Sequence, residues 1–389
     1  MPDILVVGCG LTGSVIAREL AELGRKVEIW ERRDHIGGNM YDYKDAYGIL
    51  VQKYGPHAFH TNNRAVVDYI TRFDEWQDFH LSCRAEIDGI ETPSPFNFQT
   101  IDDFYSEIDA RILKEHIKTE FGDRETATVT EVLNCSDSLL SGYARFLFNK
   151  DYSLYTAKQW GISPEKIDPS VLARVPLRFS YADGYFEDEY QLMPSMSYTN
   201  FFKKILDHPN ISVKLGIEAL EHLKIKEDDY ATLLFNNVKL EIPVIYTGAL
   251  DELFGCVEGR LPYRSLRFEW KHMNRNYFQT AAVVAYPQAE GYTRITEYKK
   301  LPPQNVSGTT YAVEYPLPYC SGEVNEPYYP VPTEESKRQY AKYRNMAEKV
   351  KNLIPCGRLA DFKYYNMDQA IERALEVCRN LDFTMKDRK

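Results

Sequence analysis

The sequence is short of the residues that staple, span or bind polyanions. It has seven cysteines, at positions 9, 83, 135, 256, 320, 356 and 378, an odd number with no CxxC pair. That pattern excludes a disulfide framework and a cysteine-based zinc site, and it predicts a reducing, cytoplasmic setting. No run of roughly 18 or more apolar residues occurs, so no membrane-spanning helix is predicted and no membrane partner is expected. The first residues, Met1-Pro2-Asp3, carry no basic segment before the apolar run begins, so a signal peptide is not expected. Positive charge is in deficit: the formal net charge is −10, which argues against a nucleic-acid partner. A small anion remains compatible with that charge, because a few arginines can converge in one cleft.

What is present is a globular composition, 44% hydrophobic and 27% charged, over 389 residues. That length predicts two or three lobes rather than one core. The 29 tyrosines are unusual. They either pack, or line a site for hydroxyls, phosphates and rings.

Ile4-Leu5-Val6-Val7 is a continuous apolar run, the signature of a buried parallel strand. Gly8-Cys9-Gly10-Leu11-Thr12-Gly13 follows at once, and Ser14 to Leu23 carries apolar residues at helical spacing up to Gly24. Lys26 to Trp30 reads as a second strand, ended by Glu31. Gly8 permits the tight turn, Gly10 a close approach to a pyrophosphate, and Gly13 close packing of helix on strand. The helix N-terminus offers free N–H groups and a positive dipole end. Glu31, 18 positions after Gly13, is placed to accept from a ribose diol. This strand–turn–helix–strand unit predicts a bound dinucleotide. The glycine pair Gly37-Gly38 just after the acid resembles the pattern of flavoproteins such as the amine oxidases, and points to FAD.

Helical spacing extends over Asp102 to Lys118, Ser136 to Leu147, Glu334 to Leu353 and Asp368 to Leu381. Strands are expected at Val213 to Leu215, at Leu233 to Phe235 before an Asn236-Asn237 turn, at Pro243 to Gly248, and in alternating runs across 265–315. The expected fold class is α/β: a discontinuous Rossmann-like FAD-binding domain with an inserted helical domain and an inserted antiparallel sheet domain. The expected boundaries are 1–78, 196–260 and 336–389 for the FAD domain, 79–150 for the helical domain, and 151–195 with 261–335 for the sheet domain.

Over nearly its whole length the chain resembles the UDP-galactopyranose mutase family. The likeness is carried by His35 to Asn39, Tyr54-Gly55-Pro56-His57-Ala58-Phe59-His60-Thr61, Tyr155-Thr156-Ala157-Lys158-Gln159-Trp160-Gly161 and Pro176 to Phe179. It continues through Gly259 to Arg264, Tyr292 to Glu297, Pro327 to Pro330, and Gly357 to Tyr364 with Asp368. The resemblance implies interconversion of the pyranose and furanose forms of a nucleotide sugar, by default UDP-galactose, for cell-surface polysaccharide synthesis. In such enzymes N5 of the reduced flavin attacks the anomeric carbon and displaces the nucleoside diphosphate. The sugar then recloses through another hydroxyl and the diphosphate returns, with no net redox change.

It also implies the site. Arg178 and Arg264 match substrate-binding arginines, and arginine suits a diphosphate because its planar fork stays charged. Tyr329 and Tyr364 match tyrosines on the same diphosphate, and Tyr155, Trp160 and Tyr190 match aromatics of the substrate pocket. His57 and His60 fall in a segment placed against the flavin ring, with His60 in the catalytic set. No Cys, Asp or Glu accompanies the two histidines in that segment, so no metal is expected. Arg294 and Arg358 match flavin-side arginines. The implied cofactor set adds Leu11, Thr12, Arg32, Gly38, Asn39, Tyr364 and Met367 to the glycines and Glu31. NAD(P)H or a reductase as electron source, and a homodimer, are implied likewise.

Departures cluster at the substrate end: Asp151-Tyr152-Ser153-Leu154, Gln191-Leu192-Met193-Pro194, Ser94-Pro95-Phe96-Asn97 with Asp102-Asp103, Ala285 where an asparagine is common, and Tyr365 to Asp368. An absent asparagine would favour a deoxy or substituted sugar, and extra carboxylates a base that presents amino donors. An FAD amine oxidase-type oxidoreductase and an inactive flavin-binding relative stay open as alternatives.

Overall fold

The computed structural model describes residues 2–161, 175–226, 228, 230–320 and 325–386, with side chains as far as Leu381 except that of Trp160. Five parallel strands form the first sheet, in the order Ile211–Leu215, Val27–Glu31, Ile4–Val7, Val244–Tyr246, Leu353–Pro355. Their apolar runs face two ways. Ile4 and Val6 enter one core with Ile29 and Ile245, while Leu5 and Val7 enter another with Trp30, Val244 and Tyr246. Both faces are covered, so both sets of side chains must be apolar. The chain leaves Ile4–Val7 to one side through helix Leu11–Glu22 and returns on the other with Val244–Tyr246. The reversal of strand order opens a crevice at the strands' carboxyl ends, where α/β sheets bind ligands.

The second sheet has seven strands, in the order Tyr329–Pro330, Tyr263–Met273, Thr309–Pro318, Arg294–Glu297, Val283–Ala285, Cys83–Ile87, Ile90–Ser94. All pairs are antiparallel except Val283–Ala285 with Cys83–Ile87. Residues 83–94 therefore belong to this sheet, whereas the sequence reading put them in a helical domain at 79–150. Cys83, Ala85 and Ile87 are buried and alternate with Arg84 and Glu86, a period of two that only a strand satisfies. Helical structure in turn runs past 150, through Ser153–Trp160.

Two helix boundaries also differ from expectation. Asp102 to Lys118 is two helices, Phe98–Phe104 and Glu107–Phe121, because the Ser106 side chain accepts from the Asp109 N–H and starts a new helix. The helix expected to reach Leu353 ends at Ala347, and Leu353-Ile354-Pro355 pairs in parallel with Val244–Tyr246. The Asn236-Asn237 turn stands as read, with φ of +48° and +66° at its two residues between strands Leu233–Phe235 and Val238–Lys239.

Candidate active site

The crevice at the carboxyl ends of Ile4–Val7 and Val244–Tyr246 is an open cleft. Gly8, Gly10, Leu11, Thr12, Gly13, Glu31, Arg32, Gly38, Asn39, His57, Arg358 and Met367 all line it. Thr247 and Tyr328 line it too, and the sequence reading gave them no role. Thr247 follows directly on the late strand, and its hydroxyl donates to the Val7 carbonyl at 2.7 Å.

The glycines are needed for space. Gly8 has φ +99°, and a Cβ there would lie 2.1 Å from the Thr247 hydroxyl oxygen. A Cβ on Gly13 would lie 2.1 Å from the Gly8 carbonyl oxygen. Gly38, at φ +56°, would put its Cβ 2.8 Å from Gly10 Cα, so the two glycine motifs meet backbone to backbone. Gly37 N–H donates to the Cys9 carbonyl at 2.9 Å and fixes that contact. Helix Leu11–Glu22 has Gly10 as its N-cap, with no side-chain cap and no acid in its first turn. Its N–H groups and positive end are left to the cleft. Buried Glu31 accepts from Cys9 N–H at 2.8 Å and from Arg33 N–H at 3.0 Å. A carboxylate has about four lone-pair sites, so two remain for a diol. An uncapped helix end, backbone cleared of side chains and a buried acid beside them fit a dinucleotide.

At the inner end, burial lowers the pKa of His57 to about 4, assisted by the charges of Arg358 and Arg294. Its imidazole is neutral at pH 7. Nδ1 lies 2.9 Å from the Gly55 carbonyl, which can only accept, so Nδ1 carries the proton and Nε2 the lone pair. Arg358 donates to the Tyr365 and Tyr328 carbonyls and sits 5.1 Å from the centre of the Tyr364 ring. The Tyr364 ring is 6.0 Å from that of Tyr329. Tyr364 thus connects the dinucleotide cleft to a second group of residues.

That group forms where helix Ser153–Trp160 meets strands Tyr263–Met273, Arg294–Glu297 and Tyr329–Pro330. Arg264 is 7% exposed and donates through Nε to the Gln159 carbonyl at 2.9 Å and through Nη2 to the Lys158 carbonyl at 3.2 Å. Burial lowers its pKa, and the nearest opposing influence is Tyr329. Among the described residues it pairs with no carboxylate. Gln159 donates its amide N–H to the Tyr329 hydroxyl. Tyr155 is half-buried, its pKa raised by burial, with Arg294 and Glu314 as the nearest charges. Arg294 donates to Glu314 at 2.7 Å, and Glu314 is fully buried and takes a second bond from Thr296.

Other expected site residues lie apart from this group. Arg178, 6% exposed, is held by its own chain: it donates to the Gly184 and Tyr185 carbonyls and pairs with Glu187 at 2.9 Å. His60 does not line the cofactor cleft. Its Nδ1 meets Asp188 at 2.8 Å and its ring stacks on Phe186 at 3.7 Å, which fixes the segment that holds Arg178. Tyr190 pairs with Thr61 across the sheet and lies under Arg64. The Trp160 side chain lies outside the described residues. Asp102 accepts from Lys114 and Tyr181, and Asp103 accepts from Gln99.

Comparison with known proteins identifies the assembly. A family model described as UDP-galactopyranose mutase matches residues 150–364, and one for an NAD(P)-binding Rossmann-like domain matches 6–73. The chain is 37% identical to the UDP-galactopyranose mutase of Mycoplasma genitalium over 97% of its length and 94% of that protein's. It is 33% identical to a dTDP-fucopyranose mutase of Escherichia coli, over 97% of this chain and 98% of that one. The fold matches a crystal structure of reduced UDP-galactopyranose mutase with a TM-score of 0.71, at 15% identity, over 98% of this chain and 94% of the other. A family model over more than half of the chain and relatives matched along nearly all of it establish that this chain belongs to the UDP-galactopyranose mutase family, a flavin-dependent isomerase whose dinucleotide is FAD.

Proposed function

We propose that the chain interconverts UDP-galactopyranose and UDP-galactofuranose, with FAD in the crevice of the parallel sheet and the sugar nucleotide beside Arg264. The observation that carries this reading is Arg264: a buried guanidinium held only by backbone carbonyls, with no carboxylate among the described residues to neutralise it. A buried cation without a counter-ion is costly unless an anion completes it. A diphosphate supplies that anion, and it gains charge as it leaves the sugar, so a preorganised cation favours its departure. Reduced FAD, when bound, supplies a nucleophilic nitrogen at the anomeric carbon.

The chain's own residues divide the remaining work. Arg264 and the Tyr329 and Tyr364 hydroxyls hold the diphosphate while it is detached, so that it can return. Neutral His57 offers its Nε2 lone pair at the flavin end without adding charge. Arg294, neutralised by Glu314, holds position between the cofactor cleft and Tyr155. Arg178 joins the diphosphate grip only by exchanging its contacts with residues 184–187.

A deoxy sugar is the second reading. It is favoured by Ala285, which pairs with Arg294 across the sheet and carries a methyl where the family commonly has an asparagine, and by the similarity to a mutase named for dTDP-fucopyranose. A cytoplasmic homodimer that feeds cell-surface polysaccharide synthesis, reduced by NAD(P)H or a reductase, fits the family.

The test is product analysis. FAD-loaded, dithionite-reduced protein is given UDP-galactopyranose, UDP-galactofuranose or dTDP-fucopyranose, and the ring forms are separated. Ring interconversion of the UDP sugars at the higher kcat/KM supports the main reading; preference for the deoxy sugar selects the second. Amine oxidation with peroxide release, and no ring interconversion, overturns both. Arg264→Ala is expected to keep FAD and lose about 10²-fold or more in kcat/KM. Full activity in that variant removes Arg264 from the site.

A further inference from the structure

Helix Ser153–Trp160 ends on Lys158-Gln159-Trp160-Gly161, the turn whose carbonyls hold Arg264. We infer that Lys158, Gln159 and Gly161 form a seat that fixes the Arg264 guanidinium and the Tyr329 hydroxyl for the diphosphate, and that Lys158 anchors it. The inference rests on the reading of Arg264 as a diphosphate ligand.

The last carbonyls of a helix have no intrahelical donor and carry partial negative charge. In helix Ser153–Trp160 the Lys158 and Gln159 carbonyls take Nη2 and Nε of Arg264, at 3.2 and 2.9 Å. Gly161 ends the helix in the left-handed conformation, φ +67°, with its N–H on the Ala157 carbonyl at 2.9 Å. A Cβ there would lie 2.6 Å from Arg264 Nη1 and 3.1 Å from Cζ. Glycine is therefore required twice, for the backbone conformation and for the guanidinium that lies over it. Gln159 reaches the other way, to Tyr329.

Lys158 ties this turn to the sheet. Its ammonium donates to the carbonyls of Tyr286, Ala289 and Tyr292, at 2.7, 2.8 and 2.8 Å. Three N–H groups meet three acceptors, the full donor count of an ammonium. Those carbonyls lie in the connection that leads into strand Arg294–Glu297. One side chain thus locks the Arg264 turn to the segment that delivers Arg294. Arginine's planar fork does not match three convergent carbonyls. Lys158 is a positioning residue: it acts through Arg264.

A double-mutant cycle on FAD-loaded, oxidised protein tests this, with UDP as the probe and its Kd as the readout. Lys158→Met is expected to weaken UDP about tenfold, with FAD content and flavin absorbance unchanged. In the Arg264→Ala background the same substitution is expected to cost less than about twofold, because the residue it positions is gone. Lys158→Arg is expected to leave most of the loss in place. Turnover by the reduced enzyme should show the loss mainly in KM. Equal losses in both backgrounds overturn the seat, since a general structural role is additive. If Arg264→Ala alone leaves UDP affinity intact, the diphosphate reading of Arg264 fails and takes the seat's function with it. Should Lys158→Met fail to fold or to keep FAD, Gly161→Ala enters the same cycle and must show the same coupling.

Discussion

Arginines that look equivalent in sequence differ by what they touch. Arg178 has Glu187, and Arg294 has the fully buried Glu314. Arg264 has backbone carbonyls. The family resemblance implied a role for all three; charge compensation, which depends on what the fold packs beside each guanidinium, singles out Arg264. The histidines divide in the same way. His57 lines the cofactor cleft, while His60, three residues on, faces Asp188 and Phe186 on the other side of the strand. The low pKa of His57, about 4 against 6.5 in an unfolded chain, has a consequence for stability. Between those values the unfolded chain binds the proton and the native state does not. Stability from this group is therefore complete above pH 6.5 and is lost as pH falls toward 4, by up to about 3 kcal/mol. Thermal melts of FAD-loaded protein from pH 7 to 4.5 should fall more steeply for the unaltered protein than for His57→Gln. Parallel curves would show that His57 is not held neutral.

At the scale of elements, apolar period served well where one face was buried and failed where a local capping bond cut a pattern. The region 102–118 has continuous helical spacing, yet the Ser106 hydroxyl takes the Asp109 N–H at 3.2 Å and splits it. Ser106→Ala is expected to cost about 1 kcal/mol, read as a lower denaturant midpoint at unchanged m-value. An unchanged midpoint would mean that the cap contributes nothing there. The hairpin Cys83–Ile87 with Ile90–Ser94 was missed for a different reason. Its partner strand Val283–Ala285 lies some 200 residues away, and a lone short hairpin is barely marked without the sheet it joins. The Asn236-Asn237 turn needed no such partner, because two residues at positive φ specify it locally.

At the scale of the whole molecule, the dinucleotide cleft is walled by chain segments from 7–13, 30–40, 217–220, 246–252 and 357–370. FAD held in this cleft would join these segments and stabilise the native state by mass action, by about 2.7 kcal/mol at a hundredfold excess over its Kd. The melting temperature of the stripped protein should rise with added FAD and approach that of the holoprotein. A melting temperature independent of FAD would contradict binding in this cleft.

The sequence by itself determined the dinucleotide turn, the flavin-type glycine pair and the family, because each rests on residues close together in the chain whose conformations are set locally. Gly8 and Gly38 adopt positive φ, and Gly13 packs against the Gly8 carbonyl within the same turn. Only the tertiary structure decided that Arg264 rests on helix carbonyls, that His57 and not His60 lines the cleft, and that the Lys158 side chain joins the helix carrying Tyr155 to the segment leading into Arg294. Arg264 and the carbonyls that hold it, and Lys158 and the carbonyls it binds, are more than 100 residues apart in the chain, and packing, not spacing, brings them together.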